Sequence, residues 1–302
     1  MYDLAVLGGG PSGLTAAVYA ARKKINLVLV SNDIGGQVLS TSGIENYMGF
    51  QFIGGSELID KFEEQVKRFP IETRRGQAVK RVSTDNGNFD IETTSGEHIN
   101  TKTVIVATGK RPRMLNVDGE ERLRGRGVTY CAICDGPVFS GEKVAVVGGG
   151  NSALEAADDM TKIAEHVSLI STTQLTGDQV LIDRVSTAAN LTMFLEYEVV
   201  RIGGEKRVEG ITIRELKTRN EMEFEIGAVF IEIGLIPNSD IVAGVVELNG
   251  LGEIQVNHCN ETGVPGLFAA GDVTDVPEKQ IVVAAGEGAK AALQAHKYLQ
   301  RL

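Results

Sequence analysis

A buried strand, a glycine-rich turn and an alanine-rich helix follow one another twice in this chain, and this repeat constrains the fold more than any other feature. The first copy is Tyr2-Asp3-Leu4-Ala5-Val6-Leu7, then Gly8-Gly9-Gly10-Pro11-Ser12-Gly13, then a helix expected over Leu14 to Arg22. This is Gly-x-Gly-x-x-Gly in its working context, strand before and helix after. Gly8 permits the tight turn, Gly10 lets the backbone approach a pyrophosphate, and Gly13 lets helix and strand pack closely. The helix N-terminus then offers its unpaired N–H groups to the phosphates. The second copy is Lys143-Val144-Ala145-Val146-Val147, then Gly148-Gly149-Gly150-Asn151-Ser152-Ala153, with a helix expected over Ala153 to Ile163. Here the spacing is Gly-x-Gly-x-x-Ala, which makes Gly148, Gly150, Asn151, Ser152 and Ala153 candidate cofactor-binding residues. Two such units in one chain imply two dinucleotides.

The strand that follows each turn tells the copies apart. In the first, Ile25 to Val30 runs into Ser31-Asn32-Asp33, so an acid for a ribose 2′-hydroxyl arrives late, and either Asp33 or a backbone group serves. In the second, His166 to Ile170 runs into Ser171-Thr172-Thr173. A 2′-phosphate calls for arginines here and a free hydroxyl usually calls for an acid. Three hydroxyl side chains cannot neutralise a phosphate dianion, and Arg184 is expected on the next helix. The expectation is NADH rather than NADPH, with Ser171 at the site.

Between these units the pattern is plainer. Gly35-Gly36-Gln37 and Glu45-Asn46-Tyr47 read as polar connection, and Ser56 to Arg68 as an amphipathic helix. Residues 71–103 alternate with turns at Asp85-Asn86-Gly87 and Ser95-Gly96, which predicts an antiparallel meander. Thr103 to Gly109 is a strand entering the small-residue turn Ala107-Thr108-Gly109. A second meander is expected over Thr192 to Ile233, and Gly234-Leu235-Ile236-Pro237-Asn238 as a connection leaving it. Gly266 to Asp272 is a strand and tight turn that leaves Asp272 exposed, either as a turn aspartate or as a hydrogen-bond partner for a ribityl chain. The last helix starts near Gln280-Ile281 and runs to Tyr298, and its positive end suits a flavin pyrimidine ring.

Two of three cysteines stand in Tyr130-Cys131-Ala132-Ile133-Cys134-Asp135-Gly136. Such a pair can be two buried apolar residues, a zinc half-site or a redox couple. The lone Cys259 and the four histidines show no ligand spacing, so no metal is expected. The formal charge of −10 and the absence of tryptophan speak against nucleic acid and anionic lipid as partners. No stretch reaches the roughly 20 apolar residues of a membrane helix. Nor does the start of the chain show a leader pattern, so a cytoplasmic location is expected, where a cysteine pair is more often catalytic than structural.

Together these residues resemble the low-molecular-weight thioredoxin reductase family over nearly the whole chain. The resemblance is carried by Gly8 to Gly13, Gly35-Gly36-Gln37, Ala107-Thr108-Gly109, Cys131 to Gly136, Gly148 to Ala153 and Ala269-Ala270-Gly271-Asp272. Thr129 to Glu155 also resembles the flavoprotein subunit of alkyl hydroperoxide reductase, whose additional N-terminal thioredoxin-like domain is not expected here. The resemblance implies an α/β fold of two dinucleotide-binding, Rossmann-like domains with three-layer ββα character, the second inserted in the first. The FAD domain would comprise residues 1–111 and 237–302, and residues 112–236 would form the nicotinamide domain carrying the cysteines. FAD would be held by Gly10, Ser12, Gly13, Gln37, Asn46, Ala107, Gly109, Asp272, Gln280 and Ile281, and the protein would be a homodimer. The family's His-Arg-Arg run is replaced by Ser171-Thr172-Thr173, which again favours NADH and also admits ferredoxin or a second flavin as donor.

By the same resemblance, electrons run from NADH through FAD to a Cys131–Cys134 disulfide. Cys134 would be the sulfur beside the flavin, Cys131 the one that attacks a thioredoxin-like, glutaredoxin-like or peroxiredoxin-system protein, and Asp135 the general acid and base. Desolvation beside two sulfurs should raise the Asp135 pKa. Dithiol and nicotinamide then share one inserted domain and both need the flavin. That domain should therefore swing about Lys110-Arg111-Pro112 and Ile236-Pro237. A flavin-binding redox sensor without turnover is the reading from another class; it gives no reason for an acid beside the cysteines.

Overall fold

The computed structural model describes residues 1–41, 43–85 and 87–302; Asn86, in the turn expected at Asp85-Asn86-Gly87, lies outside the described residues. The chain begins β1 (Tyr2–Leu7), α1 (Pro11–Arg22), β2 (Leu27–Ser31), α2 (Gly55–Lys67), β3 (Glu72–Arg75), β4 (Val79–Asp85), β5 (Asn88–Thr93) and β6 (His98–Val106). These strands lie in the order β3-β2-β1-β6-β5-β4. The first four pair in parallel, whereas β4, β5 and β6 pair antiparallel. Alternate residues explain the layering. Leu4 and Val6 pack toward α1 and α2, while Ala5 and Leu7 pack against Val82, Phe89 and Ile91 of the meander. A strand covered on both faces reads as a continuous apolar run, as β1 does.

The meander is shorter than residues 71–103. Glu72–Arg75 instead forms an edge strand parallel to β2. Its four side chains are all polar and none is buried, so it carries no alternation to disclose its pairing. Both helices after the glycine turns start earlier than expected, at Pro11 and Asn151. Proline suits the first helical position, where its missing N–H is not needed and its φ is already set.

The chain continues through β7 (Lys110–Pro112), β8 (Val128–Thr129), α3 (Ala132–Asp135), β9 (Lys143–Val147), α4 (Asn151–Thr161), β10 (His166–Ser171), α5 (Gln179–Ser186), β11 (Leu191–Leu195), β12 (Tyr197–Gly203), β13 (Gly210–Glu215), β14 (Glu221–Glu225) and β15 (Ala228–Ile231). A second parallel sheet has the order β11-β10-β9-β15-β8, and β12-β13-β14 form a separate antiparallel sheet. The expected meander over Thr192 to Ile233 therefore dissolves into three parts, with only its middle antiparallel. Val144 and Val146 face α4; Ala145 and Val147 face Val199, Ile202, Ile211 and Ile213. Each unit is thus a parallel sheet with helices on one face and antiparallel strands on the other, an α/β fold with two Rossmann-like units.

Finally come β16 (Leu235–Pro237), β17 (Leu267–Ala269) and α6 (Ile281–Leu299), of which β17 joins the first sheet parallel to β6. The two connections between the units are themselves paired: β16 runs antiparallel to β7, with Leu235 opposite Pro112 and Pro237 opposite Lys110. Among the described residues no helix is long and apolar enough to cross a membrane, and no group of three His, Cys, Asp or Glu is placed to hold a metal ion.

Candidate functional site

The first glycine turn is set by contacts that a Cβ would destroy. Gly8 has φ +118°, and a Cβ there would stand 2.2 Å from the Ala107 carbonyl oxygen. At Gly13 it would stand 1.9 Å from the Gly8 oxygen, so Gly13 packs behind the turn and does not line a ligand space. At Gly10 it would meet nothing within 4 Å. Gly10 opens on a cleft of about 910 Å³ lined also by Gly8, Ser12, Asp33, Gln37, Asn46, Ala107, Gly109, Asp272, Gln280 and Ile281. Gln37 Nε2 lies 3.5 Å from Asp272 Oδ2, and Asn46 Nδ2 donates to Gln280 Oε1 at 3.2 Å. Asp33 sits at the rim, its Oδ1 accepting the Gly36 N–H.

Asp272 is partly buried, not exposed as expected, because the segment around Gln37 and Lys279 closes over the strand end. Burial pushes its carboxyl up, and Lys279 and Lys110 pull it back. The residues fit a long, doubly phosphorylated dinucleotide such as FAD. Among the described residues the buried Ser12 hydroxyl has no partner, and neither α1 nor α6 has a side-chain N-cap, so their first N–H groups remain for a ligand.

The redox segment borders the same space. Cys131 and Cys134 form a disulfide, with Cα atoms 5.3 Å apart, and both line the cleft with Thr129 and Asp135. The segment is held by short-range hydrogen bonds. Cys134 N–H donates to Cys131 Sγ at 3.3 Å, Cys131 N–H donates to Thr129 Oγ1 at 3.2 Å, and that hydroxyl donates to Asp135 Oδ2. Asp135 is 4% exposed, and among the described residues its Oδ1 has no partner. Burial lifts its carboxyl to about 6, against the opposing pull of the Thr129 hydroxyl.

The second glycine turn lies outside this cleft. Gly148 has φ +145°, and a Cβ there would come within 2.3 Å of the Glu232 carbonyl oxygen; Gly150, like Gly10, faces open space. Gly148, Gly150, Asn151, Ser152, Ala153 and Ser171 gather at the carboxyl ends of β9 and β10, where an α/β sheet binds ligands. Asn151 also holds the loop after β10, accepting the Asp178 N–H at 2.7 Å and donating to its carboxylate at 3.1 Å. Ser171 is buried and accepts the Thr173 N–H. Arg184 lies on α5, as expected, and is bound to Asp158 at 3.1 Å beside Lys162. Although burial pushes Asp158 up, these two cations hold its carboxyl below the usual range. Arg184 is thus paired with Asp158 in this structure.

Sequence reasoning missed several residues here. Thr129 escaped notice, two positions before Cys131. Glu232 follows the four buried residues of β15, and its carboxylate accepts the Ala132 N–H at 3.2 Å. A signal existed: Glu232-Ile233-Gly234 stands to the second turn as Ala107-Thr108-Gly109 stands to the first. Burial, with the charge of Glu155 added to it, raises Glu232 to about 7 against the opposing pull of the Ala132 N–H. Lys110 and Lys279, both lining the cleft, share the nearly buried Glu253, and no local pattern announces that cluster.

Residues 2–288 match the family model described as pyridine nucleotide-disulphide oxidoreductase. A subunit of the alkyl hydroperoxide reductase of Pseudomonas putida is 44% identical over 307 residues, covering 99% of this chain and 58% of that protein. A Bacillus subtilis (strain 168) protein named NADH dehydrogenase is 43% identical over 301 residues, covering 99% of this chain and 59% of that one. The chain thus spans less than two thirds of the length of these curated relatives. Among solved structures, thioredoxin reductase from Streptococcus pyogenes superposes with a TM-score of 0.94 at 35% identity, covering 100% of this chain and 99% of that chain.

Proposed function

The chain belongs to the pyridine nucleotide-disulphide oxidoreductase family, and from that premise we propose that it is an FAD-dependent disulfide reductase drawing electrons from NADH. The observation that carries this reading is the single cleft shared by the first glycine turn and the Cys131–Cys134 disulfide. In this reading residues 1–111 and 237–302 bind FAD, and residues 112–236 bind the nicotinamide coenzyme and carry the dithiol. FAD, when bound, supplies the electron relay between nicotinamide and disulfide.

Opening the Cys131–Cys134 bond consumes two electrons and two protons and leaves two thiols. Asp135, buried in the same turn with its carboxyl raised to about 6, gives up one of those protons and takes one back when a thiol must ionise. Cys134 would be the sulfur on the flavin side, and Cys131 would attack the disulfide of the protein substrate. The exposed side chains of Ile133, 66% accessible, and Val138 give the turn an apolar surface suited to a thioredoxin-like, glutaredoxin-like or peroxiredoxin-system partner. The pairing of β7 with β16 offers one axis about which the second unit turns between donor and disulfide. A homodimer working in the cytoplasm completes the reading.

NADH is favoured over NADPH because Ser171-Thr172-Thr173 supplies no cation and Arg184 is already paired. Anaerobic stopped-flow mixing tests this directly: flavin absorbance should bleach much faster with NADH than with NADPH. Bleaching with neither would overturn the nicotinamide assignment in favour of ferredoxin or a second flavin as donor.

A further inference from the structure

Glu232 is a partly buried acid that the proposed chemistry does not use. It stands at the end of β15, where the first unit has Ala107, and its own carbonyl closes on the Gly148 turn. Its carboxylate reaches across the unit to the Ala132 N–H at 3.2 Å, the first residue of α3 and the one directly after Cys131. Among the described residues no lysine or arginine pairs with it; the charge that reaches it is that of Glu155. Withdrawing a carboxylate from water without a cation beside it is unfavourable. The first unit closes its turn with Ala107 and no such charge, so the backbone geometry does not require one.

We propose that Glu232 is a positioning residue for the dithiol: it tethers the Cys131–Cys134 turn to the end of β15 and restrains the Cys131 thiol from ionising. This rests on the proposed dithiol chemistry. N–H groups at the start of such a turn favour a thiolate, and one of them, from Cys134, already points at Cys131 Sγ. A carboxylate fastened to the neighbouring N–H opposes that effect. Burial keeps Glu232 titrating near neutrality, so the restraint strengthens as pH rises through about 7.

The test uses flavin-loaded enzyme carrying Cys134→Ser, kept reduced with dithiothreitol, with no nicotinamide and no protein partner. Iodoacetamide alkylation of Cys131 is followed by peptide mass between pH 6 and 9.5. Adding Glu232→Gln, which keeps an acceptor for the Ala132 N–H but removes the charge, should lower the midpoint and speed alkylation about three- to tenfold at pH 8. Asp135 on the turn and Glu155 on α4 stay in every variant, so the difference reads Glu232 alone. Glu232→Ala should lower the midpoint as well and also speed hydrogen exchange at Ala132, which supplies the reading if the glutamine variant folds poorly. An unmoved or raised midpoint in the folded variants overturns the proposal. Because no nicotinamide is used, failure of the NADH assignment leaves this result readable.

Discussion

The two glycine turns are near copies, and the strand ends that face them are not. Gly8 and Gly148 both take positive φ and both leave room for a carbonyl of the facing strand; Gly10 and Gly150 both look onto open space. Ser31 and Ser171 stand at matching places, each with its hydroxyl beside the second glycine of its turn. Opposite the first turn lies the small Ala107; opposite the second lies Glu232, tied to the redox segment. The frame that receives a pyrophosphate is therefore held constant, while the facing strand decides what chemistry lies beside it. Only the first turn opens on the cleft that the disulfide lines.

Substitutions at the turns test this likeness most severely. Gly8→Ala and Gly148→Ala both force a Cβ against backbone, and each should destabilise its unit by about 3 kcal/mol or more. Thermal unfolding should show the loss in both, and unequal losses would mean that the turns are not equivalent.

The acids of the second unit should matter next. Asp135→Asn is expected to slow disulfide turnover about 10²-fold, and the wild-type rate should fall as pH drops through about 6, where the carboxylate that accepts the thiol proton is lost. Stability moves the other way. Because the folded carboxyl is raised to about 6 from 3.8, its contribution is fully present below about pH 4 and is lost as pH rises through 6. The asparagine variant should thus melt higher at pH 7 while turning over more slowly. A variant equal to wild type in both assays would remove Asp135 from the mechanism.

A milder pair separates the two ligands. Gly10→Ala adds a methyl where no protein atom is met and should weaken flavin retention about tenfold, whereas Gly150→Ala should keep its flavin and raise the KM for NADH by a similar factor. If the second variant releases flavin and the first does not, the assignments of the units are exchanged. The smallest effect is expected at the strand end. Thr172→Arg with Thr173→Arg should raise the ratio of NADPH to NADH use about fivefold, read from kcat/KM for each coenzyme.

What could be read from the sequence follows from how local the cause is. The turns were legible because positive φ and close carbonyls admit only glycine, and four to six residues suffice to show it. Strand β3 was not, since Glu72-Thr73-Arg74-Arg75 has no apolar residue to mark a face. The parallel pairing of β11 was hidden for a related reason, since none of its residues is buried. The pocketing of Asp272 by Gln37 and the hold of Glu232 on Ala132 join residues far apart in the chain. Such contacts follow from packing whole sheets, for which no short pattern exists. Asp135 lay between these cases. Its place beside Cys134 was plain, but the Thr129 hydroxyl that holds it was not.

The pairing of β7 with β16 has a topological consequence. Pro112 and Leu235 are cross-strand neighbours, so residues 113–234 form, in effect, the loop of one β-hairpin. The two ends of the second unit therefore lie side by side in the folded chain. The same closure should make the unit excisable: a short turn joining Pro112 to Leu235 would restore an ordinary hairpin and leave β1, β6 and β17 in their places.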